Sequence, residues 1–303
     1  MKKKENEKEE LQKKKEDDEG LQIVSIDDID KIDVTASKKK KSYVFNKKLR
    51  IFITLISLAV FCFAGYQLVN ILLEYKQGEE LYDDLLSKYT KVSTNRGEEE
   101  EEEENGELKP FVMTDVDFVG LKKENSEIVA WIQFEHVDIS YPVLKGQDNS
   151  FYLKRTATKT ENKAGSIFMD CNNSEDMSDM NTIIYGHNMK DGSMFGLLSQ
   201  YKNAEFYLGR EHFWVYTPTA NYRYVIFSCY EPKADDGNVY TIWKGASEGY
   251  KQYLDAAKAA TKYPTDSSEL TQDTKIVTLS TCTNRGSDYR FVVQGKLVET
   301  VNK

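Results

Sequence analysis

KIVTLSTCTNRGSDYRFVVQGKL, residues 275–297, decides the fold and the chemistry together. A β-rich run over 275–281 leads to a cysteine, a short turn-like segment over 283–288 has Gly286 as its turn residue, and a second β-rich run starts at Tyr289. Side chains alternate across a strand, so Ile276, Thr278, Ser280 and Cys282 share one face, and Val277, Leu279 and Thr281 the other. If the two runs pair antiparallel, Arg290 lies near Cys282, but the register depends on the loop type, which sequence leaves open. A cysteine beside an arginine gains thiolate character, and a guanidinium also binds a carbonyl oxygen or oxyanion. The competing readings are ordinary: a buried cysteine used as a small apolar residue, and Arg290 paired with Asp288 at the surface. Arg285, in the loop, is a rival arginine.

A thiol nucleophile needs a proton carrier. The chain has three histidines, His136, His187 and His212. His187 lies in IIYGHNMKDGSMFG (183–196), where a β-branched run ends, a glycine follows and the imidazole sits at a strand end before a polar loop. His136 and His212 adjoin glutamates and read as solvent-facing or pairing residues. Ser280, Tyr185 and Thr281 are further candidates for substrate contact, set against ordinary strand packing. Histidine precedes cysteine here and the cysteine ends a strand, which is opposite to a papain-like arrangement.

The rest of the chain is segmented. Of 303 residues, 30% are charged, and the net charge of −9 is unevenly spread, with seven consecutive glutamates at 98–104 and seven basic residues and no acid over 38–50. The folded part is not basic, which excludes a nucleic-acid binder. The four cysteines, Cys62, Cys171, Cys229 and Cys282, show no CxxC spacing, so neither a zinc site nor any other metal or cofactor is expected. Whether Cys171 and Cys229 pair is open. Residues 51–73 are uncharged and long enough to cross a hydrocarbon core of roughly 30 Å. A cleaved signal peptide would be shorter and nearer the N-terminus. The basic flank marks the inner side, so the N-terminus is expected inside and the catalytic part extracellular, at the plasma membrane.

Four segments follow: a largely disordered cytoplasmic tail (1–50), a transmembrane helix (51–73), an extracellular helix and acidic spacer (74–110) with Leu81, Leu85, Leu86 and Tyr89 on one side of the helix, and a folded domain (111–303). In the last, short apolar runs alternate with turns at 128–134, 139–144, 166–170, 181–185, 213–217, 222–230, 275–281 and 289–298, as in a β-sandwich or barrel. Helical patterns occur at 194–201 and at 249–262, the latter with a stripe of Tyr250, Tyr253, Leu254 and Ala257.

TLSTC followed by Arg290, the upstream YGH and the N-terminal apolar segment together resemble the sortases, cell-wall cysteine transpeptidases of Gram-positive bacteria. GSIFMD (165–170), IIYGHNM (183–189), MFGLLSQY (194–201) and the long helix ahead of the cysteine strand are similar to class B members. The resemblance implies a mainly β fold, an eight-stranded sortase barrel with an N-terminal helix. It implies Cys282 as nucleophile, His187 as general acid and base, and Arg290 as oxyanion and substrate stabiliser. It also implies cleavage of an LPxTG-like sorting signal after threonine on secreted proteins, then transfer to a peptidoglycan amine. A pilus-type sortase joining subunits and an inactive membrane-tethered binding domain are the alternatives.

Overall fold

The computed structural model describes residues 46–93, 111–283 and 285–303. The expected tail, up to residue 45, and the acidic spacer over 94–110 lie outside the described residues.

The apolar segment and the helical pattern after it form one helix, α1 (Lys47–Tyr89). It is the only helix among the described residues long and apolar enough to cross a membrane. Its last three turns bury Gly78, Tyr82, Leu85 and Tyr89, spaced four, three and four apart, as a helix stripe must be. Tyr82 therefore leads this face, while Leu81 and Leu86 are only partly buried beside it. These contacts extend the packed unit upstream of Phe111, because Tyr82, Leu85 and Tyr89 join the same core as the barrel strands.

A short ribbon pairs β1 (Thr90–Val92) with β2 (Thr114–Val116), and α2 (Phe118–Glu124) follows, capped by Asp117 accepting from the Gly120 amide. The barrel strands are β3 (Ile128–Phe134), β4 (Ser140–Leu144), β5 (Ile167–Met169), β6 (Asn181–Tyr185), β7 (His212–Tyr216), β8 (Ala220–Tyr230), β9 (Ile276–Thr283) and β10 (Gly286–Asn302). They close in the order β10-β8-β7-β3-β4-β5-β6-β9, an eight-stranded barrel as expected. Two pairings are parallel, β4 with β5 and β6 with β9, and the rest antiparallel.

Helices fill the connections. α3 (Ala204–Tyr207) precedes β7, and α4 (Glu248–Ala260) precedes β9. The 194–201 pattern becomes a 3-10 helix over Gly196–Lys202 rather than an α-helix; its lead-in Met194 has φ +54° and buries its side chain. α4 lays Tyr250, Tyr253, Leu254 and Ala257 on Met180, Phe227 and Ile276, a small core outside the barrel. The main core cluster includes Trp131, Phe168, Phe213, Tyr216, Leu279 and Val293. Cys171 and Cys229 are free thiols.

Candidate active site

β9 explains why one cysteine is open to solvent. Ile276 belongs to the outer core under α4, and Val277 and Leu279 to the barrel interior. The outer face therefore carries Ile276, Thr278, Ser280 and Cys282 in succession. Ile276 is covered by α4, and Thr278 Oγ1 receives Gln294 Nε2 at 3.0 Å. Ser280 Oγ lies 3.0 Å from Tyr240 Oη. At Cys282 that cover ends: it alone is exposed in a strand otherwise buried from Ile276 to Thr283. Thr281 borders the same cleft, but its side chain is on the inward face and its buried Oγ1 has no partner.

The two neighbouring strands of β9 deliver the other two candidates. On the parallel side, Tyr185 is level with Ser280, and the Gly186 amide donates to the Ser280 carbonyl at 3.1 Å. That extra ladder bond brings His187 alongside Cys282, and Asn188 Nδ2 donates to the Cys282 carbonyl at 2.8 Å. On the antiparallel side, Arg290 is the cross-strand partner of Cys282. Directly opposed residues of such a pair put their side chains on the same face. Arg290 Nη1 donates to the carbonyls of Ser287 (2.7 Å) and Tyr289 (3.0 Å), which hold the guanidinium against its own strand.

His187 Nε2 donates to the Leu153 carbonyl at 2.7 Å. A carbonyl only accepts, so Nε2 carries the proton and Nδ1 is left for the thiol. Hydrogen bonding to Cys282 raises the imidazole pKa above its ordinary value, against the opposing effect of burial. The same bond lowers the Cys282 pKa, burial opposes, and the Arg290 charge lowers it further. Both shifts favour a thiolate beside an imidazolium.

The cleft around these groups has a volume of about 280 Å³, with Leu153, Tyr185 and Tyr240 among its walls. Tyr185 donates to buried Asp170 at 2.9 Å and stacks on Tyr240, centroids 6.2 Å apart. Asn149 Nδ2 donates to the same Asp170 oxygen at 2.7 Å. Ser280 and Tyr185 are thus brought to the cleft with Cys282, His187 and Arg290. His212 is not: its carbonyl accepts from the Glu135 amide where β3 and β7 meet, and His136 follows in the β3–β4 turn. Arg285 turns away to Glu231 (3.4 Å) and lies over the Tyr289 ring (4.0 Å).

Sequence reasoning missed Leu153, Asn149 and Tyr240, which line the cleft from distant segments, and Asp170, which accepts from Asn149 and Tyr185 behind it. Asn188 had a signal, since it follows His187 directly in the IIYGHNM motif.

The Sortase domain model matches residues 132–298, which includes all three candidates. Sortase B of Listeria monocytogenes is 34% identical over 249 residues, covering 81% of this chain and 95% of the relative. The chain belongs to the sortase family, class B. Sortases are cysteine transpeptidases, and this sortase is an enzyme of that kind. Its fold agrees with that of sortase B from B. anthracis solved in complex with AAEK1, with TM-score 0.61, 31% identity, 76% of this chain and 100% of that one. A Staphylococcus aureus sortase B–substrate complex matches with TM-score 0.56 and 32% identity, covering 60% of this sortase and 84% of that chain.

Proposed function

We propose that this sortase is a membrane-anchored transpeptidase that cleaves an LPxTG-like C-terminal sorting signal after threonine and transfers the protein to a peptidoglycan amine. The observation that carries the reading is the open Cys282 thiol flanked by His187 on one strand connection and Arg290 on the opposing strand. The thiolate attacks the threonyl carbonyl carbon, and the electron pair of the C=O bond moves to oxygen. Arg290 balances that oxyanion in a partly desolvated cleft. The intermediate collapses, the C–N bond breaks, and the imidazolium of His187 gives its proton to the leaving amine. An acceptor amine then attacks the thioester, its proton passes to the imidazole, and the thiolate leaves. Ser280 and Tyr185 line the donor peptide's path. α1 supplies the membrane anchor through residues 51–73, and the basic flank before it supports an inside N-terminus with the catalytic domain outside.

The test is mass spectrometry of the full chain in detergent micelles, incubated with LPxTG-like peptides of varied sequence. The expected result is an acyl adduct on the Cys282 peptide that disappears on adding a peptidoglycan-type amine and never forms in Cys282→Ala. Absence of the adduct with every variant, or adducts unchanged in Cys282→Ala, refutes the reading.

A further inference from the structure

One face of α1 grips the segment that supports His187. Glu74, Gly78 and Tyr82 are four residues apart and stack along one side of the helix. The Glu74 carbonyl accepts from Asn162 Nδ2 at 2.8 Å, and its carboxylate accepts from the Lys163 amide at 2.7 Å. Gly78 admits Asn162 closely: a Cβ there would lie 3.3 Å from Asn162 Nδ2. Tyr82, only 4% exposed, donates its hydroxyl to the Gly165 carbonyl at 2.7 Å. The same oxygen lies 3.0 Å from Ser166 Oγ and receives the Ala157 amide at 3.3 Å.

Gly165 is in turn pressed on the 3-10 turn Phe151–Lys154. Its φ is +61°, and an added Cβ would sit 2.7 Å from the carbonyl oxygens of both Tyr152 and Leu153. The Ser166 amide donates to the Tyr152 carbonyl at 3.0 Å, and Ser166 Oγ donates to the Arg155 carbonyl at 2.7 Å. The Leu153 carbonyl is the acceptor for His187 Nε2. Two residues, Gly165 and Leu153, therefore separate the Tyr82 hydroxyl from the imidazole.

We propose that Tyr82 is a positioning residue for His187, acting through Gly165 and Leu153 to set where the Nε2 proton is held and so how Nδ1 meets Cys282. This rests on the reading of His187 as the proton carrier. The Tyr82 ring packs edge-on against Tyr141 (centroids 5.5 Å), so removing the hydroxyl alone leaves its packing in place. Among the described residues, the other charged or titratable groups lining the cleft with the Cys282–His187 pair are Tyr185 from β6, Tyr240 from the β8–α4 connection and Arg290 from β10, and no variant below alters any of them.

The experiment uses the full chain in detergent micelles. Alkylation of Cys282 by iodoacetamide is followed against pH by mass spectrometry of its peptide, beside steady-state cleavage of an LPxTG-like peptide. In Tyr82→Phe the alkylation midpoint is expected at higher pH, with kcat lowered roughly tenfold and KM within about twofold. Ser166→Ala is expected to give a smaller shift of the same sign. Tyr89→Phe removes the hydrogen bond to Glu124 from the same helix and is expected to lower the unfolding temperature without moving the midpoint. A wild-type midpoint and kcat in Tyr82→Phe overturns the inference, whatever Ser166→Ala gives. So does an equal shift in Tyr89→Phe, which would mean general loosening of the helix. His187→Ala separates the two levels: no shift there removes the reading of His187 itself, while a shift there with none in Tyr82→Phe removes only the role of Tyr82.

Discussion

Arg290 stands directly across the β9–β10 ladder from Cys282. The pairing is not the simplest one for this hairpin. A regular ladder continued from Gly286 opposite Thr283 would place Ser287 opposite Cys282, and the irregularity between Gly286 and Arg290 moves the arginine there instead. The guanidinium thereby acts on the thiol by charge while two main-chain carbonyls orient it.

Arg290→Lys keeps the charge but loses the planar fork. Peptide cleavage by this variant is expected to fall by roughly two orders of magnitude in kcat, on the scale of losing one oxyanion donor. Arg285→Lys, whose side chain is engaged with Glu231 and Tyr289, is expected to cleave at close to the wild-type rate. The reverse ranking would transfer the role to Arg285.

The thiol and imidazole shifts make a paired prediction. Cys282 is lowered and His187 raised, each mainly by the other. The reactive form needs the thiol deprotonated and the imidazole still protonated, so rising pH supplies the first and removes the second. The kcat/KM profile is therefore expected to be bell-shaped, its apparent values belonging to the pair. His187→Ala is expected to move Cys282 alkylation to higher pH. Cys282→Ala is expected to move the His187 imidazole titration, followed by NMR, to lower pH. Independence of the two titrations would contradict the geometry.

Gly186 has a packing reason to be glycine. A Cβ there would lie 2.4 Å from Ile167 Cδ1 and 2.7 Å from Phe195 Cδ2, in the backbone step that carries His187 to Cys282. Gly186→Ala is expected to cost about 1–3 kcal/mol in denaturant unfolding. It is also expected to lower turnover more than tenfold, because the displaced residue adjoins the imidazole.

Glu135 offers a control away from the thiol. Burial pushes its carboxyl pKa up, but the bidentate Arg223 fork (2.8 and 3.0 Å) and the Trp214 indole (2.8 Å) more than offset this, leaving it below its ordinary value of 4.5. A lowered native value contributes stability above pH 4.5 that is lost as pH falls through it. Arg223→Ala is expected to cost about 2–3 kcal/mol at neutral pH, somewhat under a fully buried pair because Arg223 is partly exposed. That deficit is expected to shrink in urea melts below pH 4, with kcat at 25 °C unchanged.

The legible part of the site was local. The run 275–297 displays Cys282 and Arg290 close in sequence, and Gly186-His187 marks a strand end, so the three candidates were readable one by one. Their juxtaposition was not, because it depends on the irregular step before Arg290 and on the parallel β6–β9 pairing, made by segments about 95 residues apart. The barrel was readable from eight short runs, but β10 begins at Gly286, inside what looked like loop. Tyr240, Asn149 and Asp170 carry no local pattern, since each is held by contacts across the fold. On α1, the apolar stripe drew attention to Leu81, whereas burial selects Tyr82, whose hydroxyl meets two main-chain groups no helical periodicity reveals.

β9 is the shared neighbour of β6 and β10, so the strand bearing Cys282 also completes the barrel's circle. Unpairing β9 from either neighbouring strand breaks the ring of hydrogen bonds on that side. The paired stretch of β9 leading to Cys282 therefore opens with the barrel. Its amides, from Val277 to Thr281, are expected to exchange with deuterium only through global opening, and heat inactivation is expected to track loss of the whole β signal rather than precede it.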